Sequence, residues 1–147
     1  MDWFAKRFVK ASLVWLCVAV TFGAAMAIHP AWTIYRPAHM HAALLGFVSM
    51  MIFGVAYHVL PRFSGSPLHS KRAAGWHWWT ANIGLVAMMT GFVARVTSAI
   101  PTVVGGTVLA IGGAFSALGA FAFAWNIWRT MDGPPLVVVP RATRRAG

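Results

Sequence analysis

The chain has 147 residues, is 59% hydrophobic and contains only two acids, Asp2 and Asp132, which excludes an ordinary soluble domain. Its length suits one unit of about four membrane-crossing helices, at roughly 20 residues each. The formal charge of +10 does not point to nucleic acid, because the basic residues flank apolar segments and do not interleave with exposed aromatics.

The apolar runs predict an all-α bundle of four transmembrane helices over residues 1–131, with spans at about 9–28, 39–60, 79–99 and 103–128. Residues 132–147, with three prolines, a Val run and scattered arginines, read as a cytoplasmic tail. Breaker residues mark the joints: Pro30 and Pro37, then Pro61, Gly65 and Pro67, then Pro101. In the first span, a basic start and the Ala25-Met26-Ala27 sequence resemble a signal peptide with its cleavage site, but the apolar stretch is long for that role and a retained helix is expected. Cys17 lies in the same run; as the lone cysteine it forms no internal disulfide, and packing is its expected role.

The second span opens with His39-Met40-His41, and ionisable groups at membrane depth are costly enough to suggest a functional site. Trp76, Trp78 and Trp79 lie at the start of the third span, near one interface, where amphipathic rings anchor. The fourth is rich in small residues, Gly105, Gly106, Gly112, Gly113, Ser116 and Gly119, which reads as close helix packing. Ten of the twelve basic residues fall on one side of this arrangement, and only Arg36 and Arg95 lie near the other, so the positive-inside rule predicts both termini in the cytoplasm.

Helical geometry sorts the six histidines into two layers. His29, His39 and His41 lie near the outer face; His58, His69 and His77 lie near the cytoplasmic face. His41 and His58 are about 25 Å apart along a helix, so one metal cannot use both. His39 and His41 point about 200° apart, so they serve opposite faces, or one ligates while the other hydrogen-bonds. Three imidazoles in one layer exceed what packing asks for, and imidazole is the usual axial ligand of haem iron. The absence of CxxCH predicts non-covalent haem, of the b type. Carboxylates for a zinc or di-iron site are lacking, and Met50, Met51, Met88 and Met89 read as packing residues. The inner layer is a weaker candidate. A second site would use His58 and His77, yet interfacial solvation accounts for His69 and His77 beside their polar loop.

The stretch AHMHAALLGFVSMMIFGVAYHVLPRF resembles the tenth helix of subunit I in haem-copper oxidases, especially the C-type branch. GWHWWTANIGLVAMMTGF is similar to the helix that follows it, and AWNIWRTM to the end of the last core helix, so the resemblance covers about Arg36 to Met131. The pattern is also similar to that of bacterial membrane haem proteins linked to nitric-oxide metabolism. The resemblance implies that His39 corresponds to a high-spin haem ligand and His41 to a low-spin haem ligand. The family's copper ligands, its second low-spin ligand and its proton-channel carboxylates have no counterpart in these residues, and His58 stands where the family usually has an aromatic residue.

Together these readings predict a bacterial inner-membrane cytochrome b that transfers electrons in a respiratory chain, with no copper and no oxidase activity alone. Haem iron is expected on His41 with His29 as second imidazole, and Arg36 and Arg95 are candidates for the propionates. Expected partners are membrane lipid, a quinol or cytochrome c, and a second copy of the chain, because four short helices leave little room to enclose a haem. The alternative is a gas-binding haem sensor with five-coordinate iron on His39, or an accessory subunit of a larger respiratory complex.

Overall fold

The computed structural model describes residues 1–97 and 101–134, so the expected end of the third span at residue 99 and nearly all of the expected tail lie outside the described residues. The described residues are helical with no strand, and four helices are long and apolar enough to cross a membrane. The first helix is Trp3–Ile28. It stops where Pro30 forces His29 out of the helical region, to φ −121° and ψ 89°.

The second helical run, Pro30–Phe63, starts nine residues before the expected boundary at His39. Pro30 and Pro37 look like breakers, but each sits in the first turn of its segment, where a missing N–H costs nothing. The run is a 3-10 turn (Pro30–Tyr35), an α-helix (Arg36–His41), a π-helix (Ala42–Ser49) and a second α-helix (Met50–Phe63). Its buried residues Ala38, Ala42, Gly46, Met50 and Gly54 are spaced by four, and Tyr57 follows three residues later. An α-helix over-rotates by about 40° at every fourth residue, and the wider π turns rotate back. The mixture therefore holds one face inward from Ala38 to Gly54.

The third helix, Lys71–Thr97, begins well before the expected Trp79. Its first two turns, Lys-Arg-Ala-Ala-Gly-Trp-His-Trp, have little hydropathy but pack through Ala74, Gly75 and His77. The fourth helix, Thr102–Met131, lies close to the expected 103–128.

The third and fourth helices form the most extensive contact, and the first and second form the other hairpin. The third–fourth seam has a seven-residue period: His77, Gly84 and Gly91 on one side, and Gly105, Gly112, Gly119 and Asn126 on the other, all buried. That spacing keeps one stripe facing a partner helix. A Cβ added at Gly112 would lie 2.6 Å from the Met88 nitrogen and 2.7 Å from the Gly84 carbonyl oxygen, so only glycine fits. Gly106 and Gly113 face open space, so the expected small-residue packing belongs to one half of the glycines. The same device joins the first hairpin, where a Cβ on Gly46 would meet the Trp15 side chain at 2.6 Å and one on Gly54 the Ala5 carbonyl oxygen at 3.0 Å.

At the end carrying Lys6, Arg7, Arg62 and Arg129, polar bonds tie the central loop to the fourth helix. Asn126 accepts from the Ser70 backbone N–H at 2.9 Å and donates to the Ser70 carbonyl at 2.8 Å. Thr130 Oγ1 accepts from the His69 N–H at 3.0 Å, and Ser66 Oγ donates to the Gly133 carbonyl at 3.0 Å. Gly65 makes the turn at φ +64°.

Gly112→Val should lower thermal stability in detergent by about 1–3 kcal/mol through overpacking against backbone. Gly113→Val, one residue away on the open face, should leave the unfolding midpoint unchanged. Parallel thermal unfolding curves of the two variants check this.

Candidate functional site

The 3-10 and α segments that open the second helical run carry the His-x-His pair, and the structure sends its two side chains in different directions. His41 lies toward the third helix, with its ring 4.8 Å from that of Phe92. Its Nδ1–H donates to the Pro37 carbonyl at 2.8 Å, one turn back. In a neutral imidazole this leaves the Nε2 lone pair as the metal-binding position, and a carbonyl on the other nitrogen is the usual way a ligating ring is held. His41 lines an almost wholly apolar groove of about 380 Å³ with Arg36, Pro37, Met40, Leu44 and Leu45. Arg36 supplies the one cation of that wall.

His39 faces the first helix. Its Nδ1–H donates to the Ala19 carbonyl at 2.9 Å, and its Cε1 lies 3.2 Å from where a Gly23 Cβ would be. This ring clamps the first hairpin in the space that Gly23 leaves free. His29 is exposed beyond the first helix, with its ring 5.3 Å from Trp32. The outer layer is thus not a three-imidazole cluster: among the described residues no three His, Cys, Asp or Glu side chains converge as a metal site.

Arg95 is exposed at the end of the third helix and does not line the His41 groove. Its Cγ lies 3.0 Å from a Cβ built on Gly105, so its stem runs across the start of the fourth helix. Cys17 is exposed, which corrects the expectation that it packs inside the bundle; a thiol on an outward face suits lipid as well.

The inner histidines part company. His58 is half-buried, and the Arg62 guanidinium on the next turn contacts both its Nδ1 and its carbonyl oxygen. His69 lies against Trp125 at 5.0 Å. His77 is fully buried, which corrects the expectation of interfacial solvation. The Phe8 ring, tilted, and the Phe53 ring, edge-on, pack against it at 4.7 and 4.6 Å, and the Tyr57 hydroxyl bonds its Nδ1 at 3.0 Å. Its Nε2 is buried without a hydrogen-bond partner. His58 and His77 therefore have separate surroundings, an arginine for one and an aromatic box for the other.

Sequence reasoning named His77 for a second site but gave it an interfacial setting, because hydropathy placed it outside the span. The signal was present in the heptad: His77 stands seven residues before Gly84, and the Gly119 gap opposite, where a Cβ would lie 3.0 Å from His77 Cδ2, makes room for its ring.

Residues 8–102 match the family described as Cytochrome C and Quinol oxidase polypeptide I. The match takes in the first helix, which the resemblance from Arg36 onward left out, and stops short of AWNIWRTM. The chain is 43% identical over 56 residues to cytochrome c oxidase subunit 1 of Rhodobacter capsulatus, covering 37% of this chain and 10% of that protein. It is 35% identical over 89 residues to the cbb3-type cytochrome c oxidase subunit CcoN1 of Stutzerimonas stutzeri, covering 54% of this chain and 18% of that protein. A cytochrome c oxidase subunit 1 homolog of Agrobacterium tumefaciens is 38% identical over 56 residues, 37% of this chain and 10% of the homolog. The matched regions thus make up between a tenth and a fifth of these relatives. With 95 of its 147 residues inside the family match and four helices able to cross a bilayer, the chain belongs to the cytochrome c and quinol oxidase polypeptide I family, as a multi-pass protein of the bacterial inner membrane.

Proposed function

We propose that the chain is a b-type haem subunit of a respiratory electron-transfer system, with His41 as an axial ligand of the iron. The observation that carries this reading is the His41 ring itself: Nδ1 is committed to the Pro37 carbonyl and Nε2 is left for a metal, beside an apolar wall. The donor set fits haem. One oriented imidazole addresses iron, Leu44, Leu45 and Met40 offer a surface for the macrocycle, and the Arg36 guanidinium matches a propionate. When bound, haem supplies one-electron redox chemistry, and the protein supplies the ligand, the low-dielectric wall and the counter-charge.

A groove open along one side covers only part of a macrocycle. A neighbouring protomer or a larger complex would complete it, and His29, exposed at the same end, would be the imidazole to supply a further ligand. His39 is assigned a packing role in place of the ligand role that the resemblance implies, because Ala19 and Gly23 hold its ring. Arg95 is left as a stem-packing residue, and His58 and His77 as a separate arginine contact and an aromatic-box residue. Electron donors of the quinol or reduced cytochrome c class are the partners this reading expects. A single imidazole beside an open groove also favours a second reading, a five-coordinate haem that binds gas. Carbon monoxide separates the two: a bis-imidazole haem ignores it, and a five-coordinate ferrous haem shifts its spectrum.

Protein expressed with ample haem should show a reduced-minus-oxidised b-type spectrum, with pigment extractable by acid-acetone. His41→Ala should remove most of that signal, while His58→Ala should retain it. Equal loss in both variants would move the site to the other end of the bundle.

Isolated protein should show no cyanide-sensitive oxygen consumption with quinol or reduced cytochrome c, because among the described residues no imidazoles cluster to hold copper beside haem. Robust turnover with stoichiometric copper would require ligands from another chain.

With both termini proposed to face the cytoplasm, a reporter fused after Gly147 should act as cytoplasmic. Periplasmic activity of the reporter would reverse the orientation.

A further inference from the structure

A second groove, of about 500 Å³, lies at the basic end between the first and third helices, lined by Trp3, Lys71, Arg72, Gly75, Trp76 and Trp79. Its floor is Gly75, where a Cβ would approach the Trp3 ring to 3.2 Å; the missing side chain keeps the groove open. Its walls are indole: Trp3, Trp76 and Trp79 are each about half or more exposed, at 48%, 66% and 50%. Its mouth is cationic. Arg72 and Lys71 stand at the start of the third helix, and Arg7 lies over the Trp3 ring at 4.9 Å and the Trp78 ring at 5.4 Å. One carboxylate offsets them, Asp2, which pairs with Lys71 at 3.1 Å. That pair is exposed on both sides and worth little.

We propose that this groove binds an anionic phospholipid, with the headgroup phosphate at Arg72 and Lys71 and the glycerol and upper acyl chains along Trp76 and Trp79. The axial order of the residues selects a lipid over a free anion. Charge is confined to the first turn, and the lining becomes aromatic over the next two turns, a run of about 12 Å along the helix. A soluble phosphate would use the mouth alone. A lipid uses both parts, because guanidinium forks a phosphate and indole sits at the boundary between headgroup and acyl chain. Basic pockets between transmembrane helices are the usual form of such sites. The inference does not rest on haem binding, because the groove lies at the opposite end of the bundle from His41.

The test is native mass spectrometry of the full chain in detergent, exposed to equal amounts of phosphatidylglycerol and phosphatidylcholine. Preferential retention of one phosphatidylglycerol is expected. Arg72→Gln should lower that preference about fivefold, the effect of one basic residue near an anionic lipid surface. Arg72→Lys should restore most of it. Arg129→Gln, a charge change at the same end outside the groove, should leave it unchanged. Trp76→Ala should weaken retention of both lipids. Equal retention of the two lipids, or no effect of Arg72→Gln, overturns the proposal. Displacement of the lipid by inorganic phosphate at equal concentration overturns it in favour of a simple anion site.

Discussion

Helices in a bilayer gain little from burying apolar side chains against each other, since lipid tails are as apolar as leucine. What remains is close van der Waals approach, and this bundle achieves it by removing side chains at regular intervals. Gly84 and Gly112 bring two backbones so near that a single Cβ would collide with main-chain atoms of the other helix. In the first hairpin Gly54 does the same against the backbone of Ala5 and Val9, and Gly46 makes room for the Trp15 side chain. The remaining features are arranged around these two seams. The first seam positions His39 by leaving a gap at Gly23, and the second makes room for His77 at Gly119.

The two seams end in different chemistry. At the basic end, Asn126 and Thr130 satisfy the backbone of the central loop, which is how irregular chain is kept next to a bilayer without orphaned polar groups. At the other end the chain is left more open. His29 and Trp32 are exposed, and the His41 groove has one open side. The stable end and the chemically interesting end are thus separated along the bundle axis, an arrangement in which a ligand site can be completed from outside without disturbing the clamp.

Much of the architecture was legible because hydropathy reports length directly. Four spans, their order and the packing role of the fourth-helix glycines follow from apolar runs and small-residue content. The boundaries were less legible. Proline and aromatic-basic sequences look like joints to a hydropathy window, yet Pro30 and Pro37 begin helical segments and Lys71–Trp78 is fully helical. The opposed directions of His39 and His41 were readable from helical phase. Which of the two is consumed by packing was not, because that depends on Gly23 in another helix. His77 shows the same limit: its burial is set by Gly119, more than forty residues away in sequence.

The π-helix between His41 and Met50 gives this span a property that a plain α-helix lacks. A uniform helix is a rigid screw, and turning one end turns the other by the same angle. Eight residues of wider winding put a fixed angular offset into that screw. The offset sets the turn bearing His41 toward the open groove and the turn bearing Tyr57 toward the aromatic box. A substitution that restored plain α winding there would turn the His41 ring relative to Met50, Gly54 and Tyr57, so the direction of the imidazole depends on the winding of residues further along the span.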